Sequence, residues 1–202
     1  MIYKHLVIAT RNKGKFEEIT KEIAGYFEKL YSLNDFKSIG PIKETGKTFL
    51  ENARIKAETV AKAARIPALA DDSGLVVPAL KGEPGIYSSR YAGENASDWD
   101  NIELLLEKLK TSEDRGAYFV CSLCLASPQG EILWEGEGKC HGVIIDTPKG
   151  NNGFGYDPVF LYPPLRKTFA QLTREEKAKI SHRGIALNLF KKALDKGIDS
   201  LY

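Results

Sequence analysis

Residues 68–77 read Ala68-Leu69-Ala70-Asp71-Asp72-Ser73-Gly74-Leu75-Val76-Val77, and this stretch decides the fold. Apolar residues surround two adjacent carboxylates, a hydroxyl and a glycine, which predicts a short buried strand that ends in charge at the rim of a sheet. Burying either carboxylate is costly unless a cation compensates its charge. A divalent metal is the simplest compensation, because Mg²⁺ is typically held by one or two carboxylates and phosphate oxygens. The alternative is a strand end followed by an Asx turn.

Length and charge limit the class of protein. The chain has 202 residues, of which 43% are hydrophobic and 28% are charged, which suits one globular unit with a sizeable core. A net charge of +2 gives no reason to expect a nucleic acid or a membrane surface as a partner. No apolar run approaches the roughly 20 residues that span a bilayer. The first residues enter a strand pattern without a signal peptide, so we expect a cytoplasmic protein.

The three cysteines are Cys121, Cys124 and Cys140, a sparse and odd number that fits a reducing compartment. Cys121 and Cys124 form a C-x-x-C pattern inside a strand-like run. Positions three apart on a strand face opposite ways. This spacing favours buried free thiols over a redox or zinc pair.

The first predicted unit is a strand over Lys4–Thr10, a polar loop over Thr10–Lys15 and a helix from Phe16 onward. A loop at a helix N-terminus offers free backbone N–H groups that attract anions. Its cationic side chains are Arg11, Lys13 and Lys15. The loop is not a Walker A motif, and the alternative is a solvated basic loop.

A second helix is predicted directly before the Asp-Asp stretch. Thr48 and Glu51 form a capping box, and apolar spacing continues to Ala64. Lys56 lies on a different face from this apolar stripe. Glu44 precedes the helix, and its position would allow it to reach the same metal as Asp72.

The later part of the chain combines strand–helix alternation with a hairpin. Ser97 caps a helix, and two long strand runs, Gly116–Ser127 and Glu131–Asp146, flank a turn at Pro128–Gly130. This order predicts an α/β fold with a mixed sheet.

Two further segments carry candidate binding residues. The loop 148–158 alternates glycines with Phe154 and Tyr156, which predicts either a base-stacking platform or a flexible turn with core aromatics. The stretch Ser181–Arg183 opens the last predicted helix, whose apolar surface is expected to include Leu189. It is either an N-cap followed by exposed polar residues or a cluster of donors aimed at a carbonyl or a phosphate.

Six motifs in this order resemble the inosine triphosphate pyrophosphatase family over nearly the whole chain. They are Thr10–Lys15, Glu44–Ala53 with Lys56, Ala70–Leu75, Gly82–Arg90, Gly153–Pro158 and Ser181–Arg183. The resemblance implies one domain over residues 1–202, with an elongated central mixed β-sheet and helices forming two lobes around a nucleotide cleft. It also implies a homodimer, Mg²⁺ dependence, and hydrolysis of ITP, dITP and XTP to a monophosphate and pyrophosphate.

The resemblance also assigns roles to residues. Asp72 matches the catalytic general base and a metal ligand, and Glu44 matches the second metal ligand. The residues that match the triphosphate site are Thr10, Arg11, Asn12, Lys13, Gly14, Lys15 and Lys56. The residues that match other substrate contacts are Ser73, Phe154, Gly155, Tyr156, Asp157, Lys177, His182 and Arg183.

Donors such as His182 and Arg183 would favour a purine with an oxygen at C6 over adenine, whose C6 amine would face another donor. Gln171 stands where the family usually has Glu, and Lys43 replaces an acid found in some relatives. We expect only an indirect effect on metal affinity, because Glu44 and Asp72 remain. The alternatives are a related pyrophosphatase with a different base preference and a non-catalytic nucleotide-binding module.

Overall fold

The computed structural model describes residues 3–198, which form seven strands and five α-helices. The strands are β1 (Tyr3–Ile8), β2 (Phe27–Ser32), β3 (Ala68–Val76), β4 (Gly116–Ala126), β5 (Ile132–Ile144), β6 (Phe160–Tyr162) and β7 (Lys167–Thr168). The helices are α1 (Lys13–Ile23), α2 (Phe49–Ala64), α3 (Asp98–Lys108), α4 (Arg174–Ile180) and α5 (His182–Lys196). Short 3₁₀ turns occupy several of the connections.

The strands form a mixed sheet in the order β2-β1-β3-β4-β5-β6-β7. Strand β1 is parallel to both β2 and β3, and Val7 lies opposite Ala68. At the other end, β6 is antiparallel to both β5 and β7. The turn between β4 and β5 is closed by the Gly130 amide, which donates to the Ser127 carbonyl at 2.8 Å. The predictions of an α/β fold, a mixed sheet and a hairpin are confirmed.

The chain packs as two compact units. The first unit takes in the described part of Met1–Asp72, Cys121–Gly138 and the described part of Arg183–Tyr202. The second unit takes in Ser73–Val120 and Lys139–His182. Whether they work as one catalytic domain stays a prediction.

In the first unit, alternate residues of the strands enter two different cores. Leu6 and Ile8 of β1 and Leu69 of β3 pack with apolar residues of α1 and α5. Val7 of β1 and Ala70 of β3 pack instead with alanines and a valine of α2. Because successive strand side chains point to opposite faces, α1 and α5 cover one face of these strands and α2 covers the other.

The second unit has one core. Leu75 of β3, Leu105 of α3 and Phe119 of β4 pack together there with Phe160 and Phe169. The Phe119 and Phe169 rings are stacked, with centroids 5.7 Å apart. This core supports the segment after β5, which carries the aromatic residues singled out from the sequence.

Three local predictions are corrected. Strand β3 does not end at Asp71 and Asp72 but continues to Val76, so both carboxylates lie inside the strand. Helix α1 begins at Lys13 rather than after Lys15, because Asn12 caps it by accepting the Lys15 amide at 2.9 Å. Leu189 of α5, predicted to face the core, is exposed.

The cysteine prediction is confirmed. Cys121, Cys124 and Cys140 are free and buried. Cys121 belongs to the core beneath α1 and α5, and Cys124 belongs to the core beneath α2. Burial raises the pKa of Cys124 to about 12 and that of Cys140 to about 11, which keeps both thiols protonated at neutral pH. Within residues 3–198, no helix combines the length and the apolar character needed to cross a bilayer.

Candidate functional site

The two adjacent carboxylates of β3 lie on opposite faces of the strand. Asp71 shares a face with Leu69, beneath α1 and α5, and Asp72 shares a face with Ala70, beneath α2. Asp71 is 2% exposed and Asp72 is 7% exposed. Their ion pairs therefore differ: Asp71 pairs with Lys15 and Arg183, and Asp72 pairs with Lys56.

Asp72 belongs to a cluster with Lys56 and Glu44 in the first unit. The Lys56 ammonium donates to Asp72 Oδ1 at 2.7 Å and lies 3.0 Å from Glu44 Oε1. Burial alone would lower the pKa of Lys56, but the charges of Asp72 and Glu44 outweigh it and raise that pKa. Lys56 therefore stays charged and holds the two carboxylates close together.

The second carboxylate oxygen of Asp72 is a buried acceptor without a donor. Among residues 3–198, no side chain or backbone group donates a hydrogen bond to Asp72 Oδ2. Burial raises the pKa of Asp72 more than the charges of Lys56 and Lys15 lower it. A buried carboxylate oxygen without a partner is costly, so this atom is suited to a ligand, a water or a cation.

These residues fit a hard divalent cation such as Mg²⁺. Glu44 and Asp72 supply the oxygen ligands that Mg²⁺ prefers, and Asp72 Oδ2 has coordination capacity to spare. Among residues 3–198, no group of three His, Cys, Asp or Glu side chains forms a complete protein-only metal site. Mg²⁺ is commonly completed by water and substrate phosphates, which agrees with a site of two carboxylates.

Asp71 forms a separate ion-pair cluster in which Asp71 and Arg183 are buried and Lys15 is partly buried. Its carboxylate pairs with the Lys15 ammonium, accepts from Arg183 Nε at 3.0 Å and accepts from the Cys121 thiol at 2.9 Å. Arg183 Nη1 also donates to Glu18 at 2.5 Å. Burial alone would raise the pKa of Asp71, but Arg183 and Lys15 hold it well below its usual range. The cluster therefore ties α1, β3, β4 and α5 together.

In the basic segment that leads into α1, some polar side chains form hydrogen bonds within the protein and others are exposed to solvent. Thr10 Oγ1 accepts the Asn12 amide at 3.2 Å, and Arg11 Nη2 donates to the Ile39 carbonyl at 2.5 Å. Lys13 is exposed. The structure places Lys13, Gly14 and Lys15 in the first turn of α1, where N–H groups and positive charge favour anions.

The second unit brings Phe154, Asp157 and Lys177 together. The Lys177 ammonium donates to Asp157 Oδ2 at 2.5 Å and lies 4.9 Å from the centre of the Phe154 ring. The same oxygen of Asp157 accepts the Phe154 amide at 3.0 Å. A cation near an aromatic face is attractive, so this arrangement fixes the ring of Phe154 beside a buried charge pair.

The glycine-rich segment is shaped by the protein's own packing. Gly153 has φ of +78°, and a Cβ there would collide with the Asp157 carboxylate. Tyr156 is 4% exposed, and its hydroxyl donates to the Ser88 carbonyl at 2.8 Å. Tyr156 is therefore a core residue of the second unit, whereas the ring of Phe154 is only half-buried.

The Ser-His-Arg stretch is buried, so its interpretation as an N-cap with exposed polar residues is wrong. Ser181, His182 and Arg183 are 3%, 4% and 2% exposed. The His182 ring stacks on Phe119 in the second unit, with centroids 4.7 Å apart and planes 14° from parallel.

Gln171 caps a turn, because its Oε1 accepts the Thr168 amide at 3.0 Å. This hydrogen bond gives Gln171 a structural role.

Sequence reasoning missed the Asp71 cluster and also Asp98, which accepts a hydrogen bond from the Gly155 amide at 2.7 Å. Strand alternation could have separated Asp71 from Asp72. No signal in the sequence connects residues that are 57 positions apart, as Asp98 and Gly155 are. Ser73 follows Asp72 on β3 and is partly exposed. Its contact with a substrate stays a prediction.

Comparison with known proteins assigns the chain to a family. It is 51% identical over 197 residues to the dITP/XTP pyrophosphatase of Syntrophobacter fumaroxidans, which covers 98% of this chain and 84% of the relative. It is 49% identical over 198 residues to the dITP/XTP pyrophosphatase of Halalkalibacterium halodurans, and this match covers 97% of this chain and 100% of the relative. The structure of a HAM1 protein from Coxiella burnetii superposes with a TM-score of 0.88 at 40% identity, and this match covers 98% of this chain and 100% of that protein. The sequence model of the Ham1 family matches residues 6–193, so this chain belongs to the Ham1 family.

Proposed function

We propose that this chain hydrolyses non-standard purine nucleoside triphosphates, namely ITP, dITP and XTP, to a monophosphate and pyrophosphate. The observation that carries the proposal is the cluster in which Lys56 bridges Glu44 and Asp72 while Asp72 Oδ2 keeps an open acceptor. The relatives named dITP/XTP pyrophosphatase support the choice of substrates.

Asp72 is the proposed general base. Its Oδ2 is a buried acceptor that could hold a water and take a proton as the water attacks the α-phosphorus. Lys56 orients the carboxylate through Oδ1, so the other oxygen is presented in a fixed direction. The bond from the α-phosphorus to the bridging oxygen then breaks, and pyrophosphate leaves.

The lysines of the first unit are proposed to neutralise the triphosphate. Lys13 is exposed, and Lys15 and Lys56 are held by carboxylates. An ammonium group has three N–H donors. Lys15 can therefore pair with Asp71 and still donate to a phosphate oxygen, and so can Lys56 beside Asp72. The backbone N–H of Gly14 would add a donor, whereas that of Lys15 is engaged by the Asn12 cap.

Glu44 and Asp72 are the residues that would hold Mg²⁺. The bound ion would supply charge neutralisation on the phosphate oxygens. The remaining proposal is that the chain forms a cytoplasmic homodimer, which is supported by the family resemblance and, for the compartment, by the three free cysteines.

The purine base is assigned to the second unit. The half-buried face of Phe154 would stack on the base, and Asp157 and Lys177 offer an acceptor and a donor beside it. His182 and Arg183 are proposed as donors to the C6 oxygen. Two nitrogens of Arg183 already donate to Asp71 and Glu18. His182, unlike Arg183, belongs to the same unit as Phe154, so we favour His182 as the donor to the base.

The Phe154→Ala variant tests this assignment. We expect KM for ITP to rise about tenfold with little change in kcat, because base–aromatic stacking is worth about 1–3 kcal/mol. Steady-state pyrophosphate release measures both constants. Phe154→Tyr, which keeps the ring, should remain near the wild type.

Leu165→Ala is the matched control for the Phe154 variant, because it removes an exposed apolar side chain from the same unit. Its KM should stay unchanged. An unchanged KM in Phe154→Ala would contradict the assignment of Phe154 as the stacking platform.

A further inference from the structure

The loop that carries Phe154 is tethered to the first residue of α3. Asp98 Oδ2 accepts a hydrogen bond from the Gly155 amide at 2.7 Å. Both residues belong to the second unit, and the side chain of Asp98 is otherwise exposed. A hydrogen bond to an ionised carboxylate is short and strong, so this contact is a specific attachment rather than a surface coincidence.

The neighbouring amide is held in the same way from within the loop. Asp157 accepts the Phe154 amide at 3.0 Å, so two consecutive backbone N–H groups are fixed by two carboxylates. Gly155 has φ of +60°, a conformation that glycine can leave at little cost. The bond from its amide to Asp98 selects one of the conformations available to the glycine, and with it the direction of the Phe154 side chain.

The other end of this loop is attached to the segment that precedes α3. Tyr156 donates to the Ser88 carbonyl at 2.8 Å. That segment is held in turn by the buried side chain of Asn101 in α3, whose Oδ1 accepts the Ala92 amide at 2.8 Å. The loop therefore depends on the N-terminal part of α3 through two routes, and Asp98 is the direct one.

We infer that Asp98 is a positioning residue for nucleobase recognition, acting through the Gly155 amide on the orientation of Phe154. This inference rests on the proposed function and adds a residue that contacts neither base nor phosphate. Loss of the carboxylate leaves the Gly155 amide without its acceptor and lets the loop sample other conformations. Recognition of the base should weaken, whereas recognition of the triphosphate and the chemical step should not.

The experiment compares Asp98→Ala, Asp98→Asn and Glu103→Ala. Asn keeps an oxygen acceptor, and Glu103→Ala removes an exposed carboxylate from the same helix. In Asp98→Ala we expect KM for ITP to rise about five- to tenfold, with kcat within about twofold, as for the loss of one charge-assisted hydrogen bond. The inhibition constant of inorganic tripolyphosphate should not change, because that anion has no base. The KM of Asp98→Asn for ITP should stay within about twofold of the wild-type value, and the KM of Glu103→Ala should equal the wild-type value.

A structural measurement accompanies the kinetics. Hydrogen exchange of the Gly155 amide should accelerate in Asp98→Ala and not in Glu103→Ala. An unchanged KM in Asp98→Ala, or a parallel loss of tripolyphosphate inhibition, would overturn the inference while the wild type remains active. Absence of pyrophosphate release from ITP by the wild-type chain would instead overturn the proposed function, and this inference with it.

Discussion

The Asp72→Asn variant is expected to lose at least about 10³-fold in kcat for pyrophosphate release from ITP, because it removes the proposed general base. Asn has nearly the same shape, and its side-chain oxygen can still accept from Lys56, which also keeps Glu44 at 3.0 Å. The fold should therefore be retained. Rates of pyrophosphate release, together with a urea unfolding curve, measure the two effects separately.

Glu107→Gln is the control for this variant. Glu107 is an exposed carboxylate of α3, and its neutralisation should leave kcat unchanged. The account of the chemistry would fail if Asp72→Asn retained more than about a tenth of the wild-type rate, since general-base catalysis contributes more than this.

The Asp71→Ala variant is expected to lose about 3–5 kcal/mol of unfolding free energy. Asp71 is buried between Lys15, Arg183 and the Cys121 thiol, and its removal leaves the buried Arg183 and the partly buried Lys15 without this counter-charge. Arg183 would keep its ion pair with Glu18, which is 24% exposed. The midpoint of a urea titration at neutral pH measures the loss.

Asp146→Ala provides the contrast. Asp146 pairs with Arg115 at 2.5 Å but its side chain is 87% exposed, so its loss should cost less than about 1 kcal/mol. Equal unfolding midpoints for the Asp71 and Asp146 variants would show that the buried cluster does not stabilise the first unit as described.

Local elements could be predicted because their signals are local. The apolar spacing and cap of α2, the hairpin at Gly130 and the Ser97 cap of α3 depend on residues within a few positions of one another. Even there, one of the two hydrogen bonds of the capping box predicted for α2 differs in the structure. Glu51 accepts the Lys47 amide at 2.6 Å, although Thr48 caps α2 as expected.

Partners distant in the sequence could not be predicted. Arg183 is 112 residues from Asp71, and Cys121 is 50 residues from it, so only the packing of α1, β4 and α5 brings them together. The charge on Asp71 was correctly expected to need a cation. The structure supplies Lys15 and Arg183 where the sequence suggested a metal, because strand alternation turns Asp71 away from Asp72.

The glycine-rich loop shows a different limit. Its glycines and aromatics predicted either a ligand platform or core aromatics, and the structure divides these roles between two residues. Tyr156 is buried with its hydroxyl on the Ser88 carbonyl, and Phe154 keeps a half-exposed ring beside Lys177. Sequence alone contains no measure of which aromatic reaches the core, since both lie next to Gly155.

Pyrophosphate release from ITP, XTP, dITP, ATP and GTP, each with Mg²⁺ and with EDTA, tests the central claim most directly. We predict release from ITP, XTP and dITP at least about tenfold faster than from ATP or GTP. For ATP the reason is that the C6 amine of adenine would face the donors proposed for a C6 oxygen. EDTA should abolish that release, because Glu44 and Asp72 are proposed to hold a divalent cation. No release from any nucleotide in the presence of Mg²⁺ would contradict the account and favour a nucleotide-binding module.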